Sequence, residues 1–129
     1  MKKKNQTKFE YFKERVYYYQ KMLGLQNFKI SVFKDKLTDS KASWYSCDSG
    51  KIISIVIDEK VLKNENLKNL DELAFHEIYE CQFYKIKFNL NLFFNDLYTS
   101  ELIHEIVRRA ENCIFPFICD KIKGEKNVK

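Results

Sequence analysis

The run Ile52-Ile53-Ser54-Ile55-Val56-Ile57 constrains the fold more than any other part of the chain. As a strand it carries β-branched apolar side chains on both faces, so it needs neighbours on its edges and cover on its surfaces. It reads as an inner strand. Two neighbours are at hand. Residues 27–33 alternate, with Phe28, Ile30 and Val32 on one side and Lys29 and Ser31 on the other, the pattern of a half-buried strand. Residues 42–47 (Ala-Ser-Trp-Tyr-Ser-Cys) are polar enough for an edge. Asp48-Ser49-Gly50 then supplies the turn that joins this edge to the inner strand as a hairpin.

A sheet of three strands needs helices to bury its apolar face. Phe9, Phe12, Val16, Tyr19 and Leu23 recur in steps of three and four, which predicts a helix from Thr7 to Leu23, with Gly24 as its stop. Tyr17, Tyr18 and Tyr19 sit on consecutive helix positions, so they divide between core and flank and form no stacking platform. Residues 58–69 form a charged connector with room for a short helix. A long helix is expected from Leu70 to about Phe88, then a loop rich in Asn and Phe over 89–96. A last helix runs from about Tyr98 to Phe115 and is stopped by Pro116. The order predicts an α+β domain: an N-terminal helix, a three-stranded mostly antiparallel sheet with a hairpin, and two C-terminal helices.

At 129 residues there is room for one modest core, placed here at residues 9–116, between a basic flexible N-terminus (1–8) and a basic tail (117–129). The net charge of +5 belongs to those ends. Lys2, Lys3, Lys4 and Lys8 open the chain and Lys121, Lys123, Lys126 and Lys129 close it, whereas acidic side chains outnumber basic ones between residues 9 and 120. A basic groove that tracks phosphates is therefore not expected, and neither is specific nucleic-acid binding. No run of 18 apolar residues occurs, and the lysine-rich start leads into Asn5-Gln6-Thr7, so no membrane segment and a cytoplasmic location are expected. Cys47, Cys81, Cys113 and Cys119 fall at no metal-ligand spacing and read as reduced thiols without chemistry.

The chemistry-bearing residues are the two histidines, each followed by glutamate: Ala74-Phe75-His76-Glu77-Ile78-Tyr79-Glu80 in one helix and His104-Glu105 in the other. On a helix His76 and Glu80, four apart, share a face and can grip one ion, while Glu77 lies about 100° round the axis. This is the geometry of the metalloprotease helix, in which ligands at i and i+4 hold zinc and the intervening Glu acts as general base. Here the second ligand is Glu. Catalytic zinc takes three protein ligands, two His and one Glu being a common set, so a further histidine completes it, and His104 is the one that remains. His104 lies near the polar stripe of its helix, away from an apolar arc centred nearer Ile106 and Ala110, so Glu101, Glu105 or Glu111 stay open as alternatives. Arg109 decorates the helix surface, and Arg108 either does the same or orients a carboxylate of the site.

In layout, from Phe9 to Phe115, the chain resembles the small zincin-like, SprT-like metallopeptidases, especially the short versions of phages and prophages. The resemblance rests on an opening helix, on Leu23-Gly24-Leu25 and Phe28 leading into a strand, and on the hairpin. It rests also on the Ala74-Phe75-His76-Glu77 helix and on a final helix with His104-Glu105, Arg109, Glu111 and Asn112. It implies a minimal zincin-like domain with zinc at His76, Glu77 as the catalytic glutamate, and an edge strand near Trp44 and Tyr45 that holds a protein or peptide. Glu80 departs from the usual HExxH pattern. The expected function is a zinc-dependent metallopeptidase-like protein with one ion on His76, Glu80 and His104. The alternative is a catalytically inactive zincin-scaffold protein that binds a host or partner protein.

Overall fold

In the computed structural model the described residues are 6–47, 51–83 and 96–116. The expected turn at Asp48-Ser49-Gly50, residues 84–95 and both basic ends lie outside them, the first through residue 5 and the last from residue 117. The helix expected from Leu70 to about Phe88 is Leu67–Cys81, with Gln82 as its C-cap. Among the described residues the fold is α+β, with four helices and a three-stranded mixed sheet. The chain divides into two compact units, Met1–Tyr84 and Lys85–Lys129.

The first unit opens with α1 (Lys8–Met22). A capping box starts it: the Glu10 N–H donates to the Thr7 hydroxyl (3.1 Å) and the Thr7 N–H donates to the Glu10 carboxylate (3.0 Å), which satisfies two donors left open at a helix start. Gly24 ends it. Its φ of 71° lets the Leu25 N–H reach the Gln20 carbonyl (2.9 Å) and its own N–H reach that of Lys21 (3.1 Å), a Schellman closure that a side chain at this position would strain.

The strands β1 (Lys29–Asp35), β2 (Ala42–Cys47) and β3 (Ile52–Asp58) take the order β1-β3-β2, so the isoleucine run is the inner strand and Ala42–Cys47 an edge. The sheet is mixed, where a mostly antiparallel one was expected: β2 pairs with β3 antiparallel, but β1 pairs with β3 parallel. The connector explains the difference. Residues 36–41 cross the end of β3, held there by the Leu37 N–H to the Asp58 carboxylate (3.2 Å) and the Asp58 N–H to the Lys41 carbonyl (2.9 Å). The chain thus reverses once into β2 and again into β3, and two reversals leave the third strand parallel to the first.

Helices α2 (Glu59–Asn64) and α3 (Leu67–Cys81) follow, and α3 is capped by the Asn66 side chain, which accepts the Asn69 N–H at 2.8 Å. α1 packs on α3 and β1, and α3 packs on β2. The core is built from Phe12, Val16 and Tyr19 of α1, Ile53, Ile55 and Ile57 of β3, and Leu70, Ala74, Phe75 and Ile78 of α3, all fully buried. Tyr19 meets Phe75 edge-on, with ring centroids 5.4 Å apart, while Tyr17 and Tyr18 are exposed, so the three tyrosines split between core and flank. Ile52, Ser54 and Val56, on the other face of β3, are half-buried. The expected cover on both faces is therefore complete on one only.

In the second unit, α4 (Asp96–Cys113) buries Thr99, Ile103, Val107 and Ala110. The buried stripe differs from the arc expected around Ile106 and Ala110: Leu102, Ile106 and Ile114 are exposed, and the stripe turns toward Val107, the side on which His104 lies. Thr99 belongs to the buried stripe, fully enclosed. A hydroxyl can be buried once hydrogen-bonded, so a threonine joins the stripe that hydrophobicity alone assigns to the leucine and isoleucines. No helix among the described residues is long and apolar enough to cross a membrane.

Candidate metal centre

The last two turns of α3 carry the site. Leu70, Ala74, Phe75, Ile78 and Cys81 fill the inward stripe of this helix, which leaves the adjoining face to His76 and Glu80. Both are half-buried, with side chains 23% and 13% exposed, and so less enclosed than the aromatic neighbours in the sequence imply. His76 Nε2 and Glu80 Oε2 stand 3.2 Å apart, the i,i+4 arrangement expected from the spacing.

Glu80 has a second partner that sequence did not point to. Trp44, at the middle of edge strand β2, donates its indole N–H to Glu80 Oε1 at 3.2 Å. The two carboxylate oxygens are thus divided, one toward a histidine of the same helix and one toward a tryptophan of the sheet. Tyr45, the next residue along β2, projects from the opposite face and is 58% exposed. Trp44 and Tyr45, expected together as a substrate surface, point to different sides of the strand.

Glu77 is buried, at 5% exposure, on the α3 stripe that includes Ile78 and Cys81. The Cys81 thiol is held far above its usual range, first by burial and then by the negative charges of Glu77 and Glu80, so it stays protonated and unreactive in the folded protein. The two carboxylates thus act on one small region of α3. No buried side-chain nitrogen or oxygen among the described residues lacks a hydrogen-bond partner.

The donors suit a metal ion in type and spacing. With metal–ligand bonds of about 2.0–2.1 Å in tetrahedral geometry, two donors on one zinc stand about 3.3 Å apart. The His76–Glu80 separation of 3.2 Å is close to this.

His104 lies on α4, in the second unit, half-buried between the buried stripe and the polar side. Of the carboxylates considered beside it, Glu101 and Glu105 are exposed and Glu111 is half-buried. Glu105 accepts from Arg109 Nη2 at 2.7 Å, an exposed i,i+4 pair consistent with Arg109 as surface decoration, and Arg108 is exposed too.

A second cluster, also missed at the level of sequence, occupies the first turns of α3. Asp71 Oδ1 accepts from Arg15 Nε (2.6 Å) and from the Tyr19 hydroxyl (2.7 Å), and Arg15 Nη2 donates to the same hydroxyl (3.2 Å). Arg15 also lies over the Tyr18 ring, 4.2 Å from its centroid. Burial, aided by the bond to Asp71, pushes the Tyr19 phenol up, out of its usual range. The signal was present: Asp71 interrupts an apolar stripe between Leu70 and Ala74, and Arg15 and Tyr19 are one turn apart on the inward side of α1.

No protein-family model, no curated protein and no solved structure matches this chain.

Proposed function

We propose that the chain is a minimal zincin-like metal-binding domain of SprT-like type that hydrolyses peptide bonds, with one zinc ion held by His76, Glu80 and His104. The observation that carries the reading is the His76–Glu80 pair at 3.2 Å on one face of α3. His104, on α4 of the second unit, is the third ligand in this reading. Two imidazoles and one carboxylate are a donor set suited to catalytic zinc, which leaves a fourth position for water or substrate.

Bound zinc would supply Lewis acidity, polarising a carbonyl and lowering the pKa of water to about 7. The chain's own residues do the rest. Glu77, one position after His76, takes the proton from the attacking water and passes it to the leaving amine. The edge strand β2, with Tyr45 on its exposed face, offers backbone groups to an extended peptide. The partner in this reading is a protein or peptide.

One observation favours the second reading, an inactive scaffold that binds a partner protein: Glu77 is only 5% exposed, which restricts the access of water and substrate to its carboxylate.

Metal analysis of protein purified without chelator, followed by zinc reconstitution, tests the site. One zinc per chain is expected, lost in His76→Ala and Glu80→Gln, and failure of the native chain to bind zinc overturns the reading. With zinc retained, Glu77→Gln is expected to lower peptide hydrolysis by about 100-fold or more. Stoichiometric zinc with no hydrolysis by the native chain selects the binding scaffold.

A further inference from the structure

The indole of Trp44 does not belong to a substrate surface: we infer that it is a positioning residue for the metal ligand Glu80. This rests on the zinc reading above and extends it to the strand that faces α3. Trp44 sits opposite Ile55 in the β2–β3 register, on the sheet face that also carries the buried Ala42, Ile53 and Ile57. That places its ring toward α3, where its N–H meets Glu80 Oε1 at 3.2 Å.

Three physical consequences follow from that one bond. A carboxylate has two equivalent oxygens and can present either or both to a cation. With Oε1 accepting from Trp44, Oε2 is the oxygen left beside His76 Nε2, and the two donors stand at the separation of neighbouring ligands on one ion. The indole N–H is a donor only, with no lone pair to compete for the metal and no proton to lose near neutral pH, so the hydrogen bond serves Glu80 in its charged, ligating form. Trp44 lies on a strand and Glu80 on a helix, and a contact between two rigid elements fixes a rotamer more firmly than a loop residue can.

The chain has one tryptophan, so the positioning contact carries its own reporter. In metal-free native protein, titration with Zn2+ is expected to change the Trp44 emission in step with binding, and the change disappears in His76→Ala. Trp44→Phe keeps an aromatic ring at this half-buried position and removes the N–H donor. Measured by competition with a chromogenic chelator, its zinc affinity is expected to fall about 10- to 100-fold. The absorption bands of the Co2+-loaded variant are expected to shift, while its circular dichroism matches that of the native chain. Zinc binding by the native chain together with unchanged affinity in Trp44→Phe, or with Trp44 emission indifferent to saturating zinc, overturns the positioning role and leaves the zinc reading standing. A native chain that binds no zinc overturns both.

Discussion

Helix α3 carries two polar clusters a few turns apart, and they are built on opposite principles. At its start, Asp71 is matched to Arg15 and Tyr19, with the two charged side chains only 12% and 15% exposed. Guanidinium is always charged and has no lone pair, so this cluster has a single state and can only hold α1 against α3. Toward the other end, Glu80 is matched to His76 and Trp44. Imidazole can be a cation, a hydrogen-bond partner or a metal ligand near neutral pH, so the same geometry there has several states. In the proposed reading, one helix separates structure from chemistry by the choice of cation partner.

The contrast is sharpest in stability. Asp71→Ala leaves a largely buried guanidinium without its counter-charge, and breaking such a pair costs about 3–5 kcal/mol. His76→Ala in metal-free protein removes a side chain that is 23% exposed and is expected to cost about 1 kcal/mol or less. Urea denaturation in the presence of chelator measures both. Equal losses would mean that the second cluster is an ion pair like the first, and the comparison collapses. The proposed zinc sharpens it from the other side: at 1,000 times its dissociation constant a bound ion is expected to add about 4 kcal/mol of stability to native protein. Asp71→Ala should keep that increment and His76→Ala should lose it.

A smaller effect separates the clusters by pH. The Tyr19 phenol is raised by burial and then by its bond to Asp71, against the partial lowering by Arg15. In the unfolded chain it ionises near pH 10, whereas the folded protein keeps its proton above that. The folded state then binds more protons than the unfolded one, so stability is unaffected below about pH 10 and falls as pH rises, by up to about 1.4 kcal/mol per pH unit from this group. Tyr19→Phe is expected to remove that alkaline slope, while costing about 1–2 kcal/mol at pH 7 through the hydrogen bond lost to Asp71. Denaturation curves at pH 7, 10 and 11 for the two proteins decide it, and parallel alkaline slopes would refute the assignment.

The parts of this picture legible in the sequence are those written in local periodicity. The isoleucine run announced an inner strand, and the i,i+4 spacing of His76 and Glu80 announced a shared face. Information that depends on distant pairing was not readable. The parallel sense of β1 is set by a six-residue connector pinned to Asp58, in which no residue pattern encodes direction. Trp44 and Glu80 are 36 positions apart, on a strand and a helix whose register only packing fixes. Asp71 and Thr99 carry no sequence signal for burial, yet both are buried, because a hydrogen-bonded polar group is admitted to a core that excludes an unpaired one.

The smallest predicted effect tests whether the proposed ion takes a ligand from α4. Glu105 is 58% exposed and its partner Arg109 76% exposed, in an i,i+4 pair at 2.7 Å. Exposed pairs of this kind contribute about 0.3–0.5 kcal/mol, and salt screens them. Glu105→Ala should therefore lower stability by no more than that and leave zinc affinity unchanged. His104→Ala removes a half-buried imidazole that the reading assigns to the ion. Loss of one of three ligands should reduce affinity well beyond the 10- to 100-fold typical of a supporting hydrogen bond, with little change in the metal-free stability. The two substitutions are neighbours in sequence and differ in burial, so the pair controls for any general disturbance of α4. Chelator competition on both proteins reads the outcome directly. Equal zinc affinity in the two would exclude His104 as a ligand, and a loss confined to Glu105→Ala would transfer the third position to a carboxylate.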